Sequence, residues 1–185
     1  MKIRNRQISF KQTICLVLYY CFAKYLPQST NPFLGRISKR IRYQIVKQIF
    51  KRCGKNVNIE KGVNFGWGIN VEIGDNSGLG VNAYVPMNIK IGENVMMGPE
   101  CHIISQSHNF ERTDIPMIQQ GYKQTSGVRT EIGNDVWIGR QVTMTPNRKI
   151  ADGTIIGACC LLCKDFPPYS IVGGNPSKLI RGRKL

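Results

Sequence analysis

The chain has no acidic residue before Glu60. Its first 52 residues hold twelve Lys and Arg; the remainder holds fourteen bases and eleven acids, so the formal net charge of +15 belongs mainly to the N-terminal segment. That segment carries no nucleic-acid reading motif and no aromatic platform beside its charge, which argues against nucleic acid as the partner. Histidine is scarce, with only His102 and His108 in 185 residues. Two imidazoles are too few for a three-histidine zinc site, and no metal is expected. Long apolar runs are missing too. The most apolar stretch, 14–22, reaches about thirteen residues with its flanks, short of the roughly twenty that span a bilayer. Basic residues precede this stretch as in a secretory leader, but Lys24 follows closely and no small-x-small cleavage site appears. Seven Cys is an odd count without the spacing of a disulfide framework, which points to a reducing compartment. Cys159, Cys160 and Cys163 form a CC-x-x-C cluster that reads as buried packing at repeat positions rather than as a metal or redox site.

What the chain does have is a six-residue beat. Aliphatic residues fall at Ile73, Leu79, Val85, Ile91, Met97 and Ile103, and again at Ile132, Ile138, Met144, Ile150, Ile156 and Leu162. Seven of the twelve residues that follow them are Gly: Gly74, Gly80, Gly92, Gly98, Gly133, Gly139 and Gly157. A hexapeptide repeat of this kind predicts a parallel β-helix, three short strands to each coil. The anchors point into the prism. The glycines are expected at tight bends where positive φ is useful. Residues two before each anchor are mostly small or β-branched (Val71, Ser77, Ala83, Val95, Thr130, Val136, Val142, Thr154) and suit a second inward position. Arg148 occupies that phase once and fits it poorly.

Three regions follow from this pattern. Residues 1–52 form a basic helical segment, 53–166 the repeat with an insertion at 104–131, and 167–185 a C-terminal closure and tail. Over 36–52 the spacing of Ile37, Ile41, Ile45 and Ile49 predicts an amphipathic helix, with Lys39, Arg40, Arg42, Lys47, Lys51 and Arg52 on its other face. This helix serves either as a cap on the first coil or as a basic anchor on anionic lipid. Residues 8–26 read as an anchor or a subunit contact, and residues 1–35 as dispensable for folding of the coil. The insertion 104–131 interrupts the beat, and long loops in compact repeats usually serve function. It carries His108. His102, one residue before an anchor, is expected to face solvent.

Three stretches carry a resemblance: Ser107-His108-Asn109-Phe110; Ile132-Gly133-Asn134-Asp135-Val136-Trp137-Ile138-Gly139; and the run from Lys164-Asp165-Phe166-Pro167-Pro168 to Gly174-Asn175-Pro176-Ser177-Lys178. Over about residues 53–182 the chain resembles the hexapeptide-repeat acyltransferases, in the branch of maltose and galactoside acetyltransferases and colanic-acid-type polysaccharide O-acetyltransferases. The resemblance implies a mainly β fold: a left-handed parallel β-helix with an N-terminal helical segment, one protruding loop and a short C-terminal extension. It implies acetyl-CoA as acyl donor, a sugar or glycan hydroxyl as acceptor and a homotrimer. The protein is then expected in the cytoplasm or, through its basic N-terminus, peripherally at the inner face of the plasma membrane. His108 would be the general base, a task suited to imidazole near neutral pH. The backbone amide of Arg140 would serve the oxyanion, and Asn82 would orient the acceptor. Trp137, Ala158, Cys163, Lys164, Lys178 and Arg181 fall at positions lining the CoA groove, which in this family runs along a coil edge between two subunits. Arg140, Cys160 and Cys163 replace smaller or hydroxylated residues there. Alternatives remain open at this point: N-acetyl transfer to an amino sugar, acetylation of a xenobiotic, or a non-catalytic scaffold.

Overall fold

The computed structural model describes residues 2–3, 6–123 and 128–183. Every six residues of the repeat lay down one two-residue strand and a corner. Arg52–Cys53, Glu72–Ile73, Lys90–Ile91, Glu131–Ile132 and Lys149–Ile150 stack in parallel as a first face. The second face runs through Asn58–Ile59, Gly78–Leu79, Met96–Met97, Trp137–Ile138, Ile155–Ile156 and Ser170–Gly173. The third comprises His102–Ile103, Thr143–Met144 and Leu161–Leu162, continued downward by bridges at Tyr84 and Asn64. The result is a left-handed parallel β-helix of about six turns, a known exception to the right-handed crossover rule. Anchors stack on anchors, as in Ile73, Ile91, Ile132 and Ile150 along the first face. All of the anchors are buried except Met97, which is half-buried. The insertion leaves after Ile103 and returns at Glu131 without disturbing the register, since Ile91 pairs with Ile132 directly.

The corner glycines have a different role from the one expected. Positive φ falls three residues after the anchor, at Asn76, Asn82, Asn94, Glu100, Asp135, Gln141, Asn147, Gly153 and Cys159. The residue directly after the anchor is Gly because the next coil lies against it. A Cβ on Gly74 would stand 2.6 Å from the Gly92 carbonyl oxygen, and one on Gly92 2.5 Å from that of Gly133. Asn tolerates the left-handed corner at modest cost, and here it also links coils. The Asn56 amide donates to Asn76 at 3.1 Å, and Asn76 to Asn94 at 3.3 Å.

Arg148 is accommodated by leaving the inward row. Its guanidinium reaches the corner, donates to the Cys163 carbonyl at 2.9 Å and pairs with Asp165 at 3.5 Å. The coil ends where Ser170–Gly173 pairs with Lys178–Gly182 in antiparallel fashion, which closes the upper end of the second face.

Below the first coil lie helix α1 (Phe10–Cys21), a 3-10 turn (Ala23–Tyr25) and helix α2 (Gly35–Ile49). Ser9 and Gln12 form a reciprocal capping box at the start of α1. The buried face of α2 is Gly35, Ser38, Arg42, Val46 and Ile49, rotated from the expected isoleucine stripe; Ile37 is exposed. Arg42, expected in solvent, is fully buried. Its Nη1 donates to the carbonyls of Leu26 (3.1 Å) and Pro27 (2.9 Å), its Nε to that of Ile59, and Nη2 lies 3.6 Å from Glu60. Three carbonyls that would otherwise be orphaned in the interior thus find a donor, which is why a cation occupies this place.

The segment from Phe10 to Gly35 is likewise not an appendage. Tyr19 is buried against Phe65, with ring centroids 4.5 Å apart, and its hydroxyl donates to the Val63 carbonyl at 3.0 Å. Leu16 and Ala23 join the same core. The segment caps the first coil, and the repeat needs it there because an uncovered coil end would leave Phe65 and Phe50 in water.

Candidate functional site

The inserted loop builds a hairpin-like arm. The Asn109 amide N–H donates to the Gly121 carbonyl at 3.0 Å, and that of Lys123 to the Ser107 carbonyl at 2.8 Å. The Asn109 side chain donates to the carbonyls of Gln120 (3.0 Å) and Tyr122 (3.3 Å), which locks the two limbs together. Gln120 clamps the tip through the Arg112 and Ile115 carbonyls. His108 and Tyr122 face each other across this arm, with ring centroids 4.4 Å apart and planes at 33°. His108 is exposed, so its ring nitrogens are accessible while its face rests on the phenol. Sequence reasoning missed Tyr122. The available signal was that it is the sole aromatic of the returning limb. Residues 124–127 of the insertion, like 184–185 of the tail, lie outside the described residues. His102 is exposed on the third face and stacks on Tyr84 at 4.7 Å.

The other candidates gather elsewhere. Trp137 is 52% exposed on the second face, in register between Met96 below and Ile155 above. Ile171 continues the row, and Arg181 pairs with it from the closing strand. Asn82, Arg140 and Ala158 occupy the edge that follows this face, all exposed. The Arg140 side chain turns along its own edge to Glu100, 3.3 Å away. Its backbone N–H has no acceptor among the described residues. Asn82 holds a left-handed corner at φ 56°, so its backbone serves the turn while its side chain stays exposed.

Cys163 and Lys164 lie on the next edge, after the third face, the same edge from which the arm with His108 springs. Cys163 is half-buried; its thiol is 3.5 Å from the Ser177 hydroxyl, and that hydrogen bond draws the thiol below its ordinary pKa. Burial pushes the Cys160 thiol up. Lys164 lies over the Phe166 ring at 5.5 Å. Lys164, Lys178 and Arg181 are exposed and have no ion-pair partner among the described residues, the state in which such groups can meet phosphates.

One chain therefore brings Trp137, Arg140, Ala158 and Arg181 to the second face and its edge. His108, Cys163 and Lys164 sit across the full width of the third face from the Arg140 amide.

Comparison with known proteins agrees with this architecture. Residues 129–164 match the family described as bacterial transferase hexapeptide (six repeats). A chloramphenicol acetyltransferase of Agrobacterium fabrum is 54% identical over 54 residues, 29% of this chain and 26% of that protein. The matched stretch is thus about a quarter of the length of such curated relatives. A maltose O-acetyltransferase from Clostridium difficile 630 superposes with a TM-score of 0.73 at 27% identity, over 95% of this chain and 87% of that one. A galactoside acetyltransferase in complex with coenzyme A superposes at 0.72 with 27% identity, over 93% and 80% of the two chains.

Proposed function

We propose that this chain is an acetyl-CoA-dependent O-acetyltransferase that acts on a sugar hydroxyl of a cell-surface polysaccharide or its precursor. The observation that carries the reading is His108, exposed and held against Tyr122 on a self-braced arm at the edge of a hexapeptide-repeat prism. The similarity to maltose and galactoside acetyltransferases supports a sugar hydroxyl as acceptor.

In this reading His108 takes the proton of the acceptor hydroxyl. The acceptor oxygen forms a bond to the acetyl carbonyl carbon, the carbon–sulfur bond breaks, and the CoA thiolate leaves with the proton that His108 returns. The unsatisfied Arg140 N–H receives the negative charge that develops on the carbonyl oxygen, and a backbone donor already in place costs no reorganisation. Asn82 orients the acceptor. Trp137 and Ala158 offer an apolar surface, Cys163 lines the path, and Lys164, Lys178 and Arg181 supply charge-assisted donors for phosphates. Transfer is direct, so no cysteine acts as a nucleophile. Because His108 and Arg140 stand a face apart in one chain, the site is shared between neighbouring copies, which a homotrimer of prisms provides.

The test is thiol release from acetyl-CoA in the presence of candidate acceptors. His108→Ala should lower turnover by about 10²–10⁴-fold, the usual worth of a general base, and His102→Ala should leave it near wild type. Equal effects of the two, or none from His108, would sink the mechanism. A second reading is favoured by the local identity to chloramphenicol acetyltransferase: a hydroxyl on a small xenobiotic. Turnover with such a compound and none with any glycan would select it.

A further inference from the structure

Helix α1 has two apolar faces, and the core uses only one. Leu16, Tyr19 and Ala23 pack inward. On the opposite side Phe10, Ile14, Val17 and Leu18 recur at helical spacing and are all exposed, Phe10 to 82%. Phe22 after the helix and Phe33 before α2 are exposed as well. A surface helix ordinarily turns polar residues to water, so this second face needs a cover.

The charge around it selects the cover. Lys11, Arg36, Arg40 and Lys47 are exposed on the same pair of helices and have no ion-pair partner among the described residues. No carboxylate precedes Glu60, and Glu60 is itself buried and engaged by Arg42 and Ser29. A second copy docking here face to face would set one acid-free basic surface on another. An anionic lipid surface complements both features, taking apolar side chains below the headgroups and basic ones at the phosphates. No helix among the described residues is long and apolar enough to cross a membrane, so the contact lies in the plane of the interface.

We propose that the α1–α2 hairpin docks on anionic membrane lipid through the outer face of α1. This inference stands independently of the acyl-transfer reading, because none of its residues belongs to the candidate site and it is read without turnover.

The experiment is co-sedimentation of the full-length protein with vesicles of phosphatidylcholine alone, or mixed with phosphatidylglycerol. Binding is expected only to the anionic vesicles, with release at about 1 M salt, where the Debye length is about 3 Å. The triple variant Ile14→Ser, Val17→Ser, Leu18→Ser should bind at least about tenfold more weakly. Arg36→Gln with Arg40→Gln should also weaken binding, by about fivefold for each charge. All five side chains are exposed, so both variants should keep the wild-type thermal unfolding profile. Failure to bind anionic vesicles, equal binding to both vesicle types, or wild-type binding by the triple serine variant overturns the proposal. So does loss of the oligomer in the serine variant without any change at vesicles, which would identify the face as a contact between copies.

Discussion

At the scale of single residues, Arg42 is the strongest test of what joins helices to coil. Its guanidinium serves carbonyls from the inter-helix connection (Leu26, Pro27) and from the first coil (Ile59), and its charge faces Glu60. Removing one member of a buried charged pair commonly costs about 3–5 kcal/mol because the partners are left unpaired. Arg42→Met should lower unfolding stability by that order in urea titrations; a loss under about 1 kcal/mol would mean that water replaces the guanidinium. Glu72 gives a second test through pH. Hydrogen bonds from Lys51 (2.6 Å) and Arg129 (2.9 Å) hold its pKa down to about 2, against about 4.3 for an unstructured Glu. A depressed folded pKa stabilises fully above the unfolded value and is lost as pH falls toward the folded one. Glu72→Gln should therefore flatten the acid limb of the stability profile between roughly pH 4 and pH 2, with little change in its shape near neutrality.

At the scale of elements, the helical hairpin and the coil depend on each other. The Tyr19 ring and hydroxyl, the Ser29 contacts to Glu60 and two of the three carbonyls that Arg42 satisfies, those of Leu26 and Pro27, lie before Gly35. A chain begun at Gly35 should be insoluble or unfold without cooperativity by calorimetry, since it would expose Phe50 and Phe65 and orphan part of a buried cation. A truncated protein that stays soluble with the full-length melting temperature would show that the coil end tolerates water. The arm is organised in the opposite way. Its hydrogen bonds through Asn109, Gln120 and Lys123 are internal, so the loop brings its own order to His108 and borrows little from the coil.

At the scale of the whole molecule, the separation of His108 from the Arg140 edge makes assembly the deciding question for the proposed chemistry. The arm also exposes Phe110, Met117 and Ile118, the last to 86%, which suits a contact with a neighbouring prism. Light scattering should give about three times the 20.9 kDa of one chain. Mixed and reassembled His108→Ala and Trp137→Ala proteins should recover activity that neither has alone, because some sites then pair an intact arm with an intact second face. Monomeric mass, or no recovery on mixing a reassembled trimer, would remove the shared site.

The coil is legible in the repeat alone. A beat of six with inward anchors repeats often enough that Ile73, Ile91, Ile132 and Ile150 can stack only one way, and the insertion shows as the place where the beat stops. Local pattern carries that information because every coil meets only its neighbours. What happens where the pattern meets something unlike itself is set by packing in three dimensions. Arg42 and Ile37 exchanged their expected faces because the connection at Leu26 and Pro27 places unpaired carbonyls against α2, a fact that no helical periodicity records. The glycines after the anchors answer to the next coil's backbone rather than to their own φ. His108 stood out in the sequence as a lone loop imidazole. That Tyr122 supports it, and that Arg140 stands across a whole side of the prism from it, depended on the thirteen residues of arm between His108 and Tyr122 and on one face of coil. Such distances are set by the path of the chain in space.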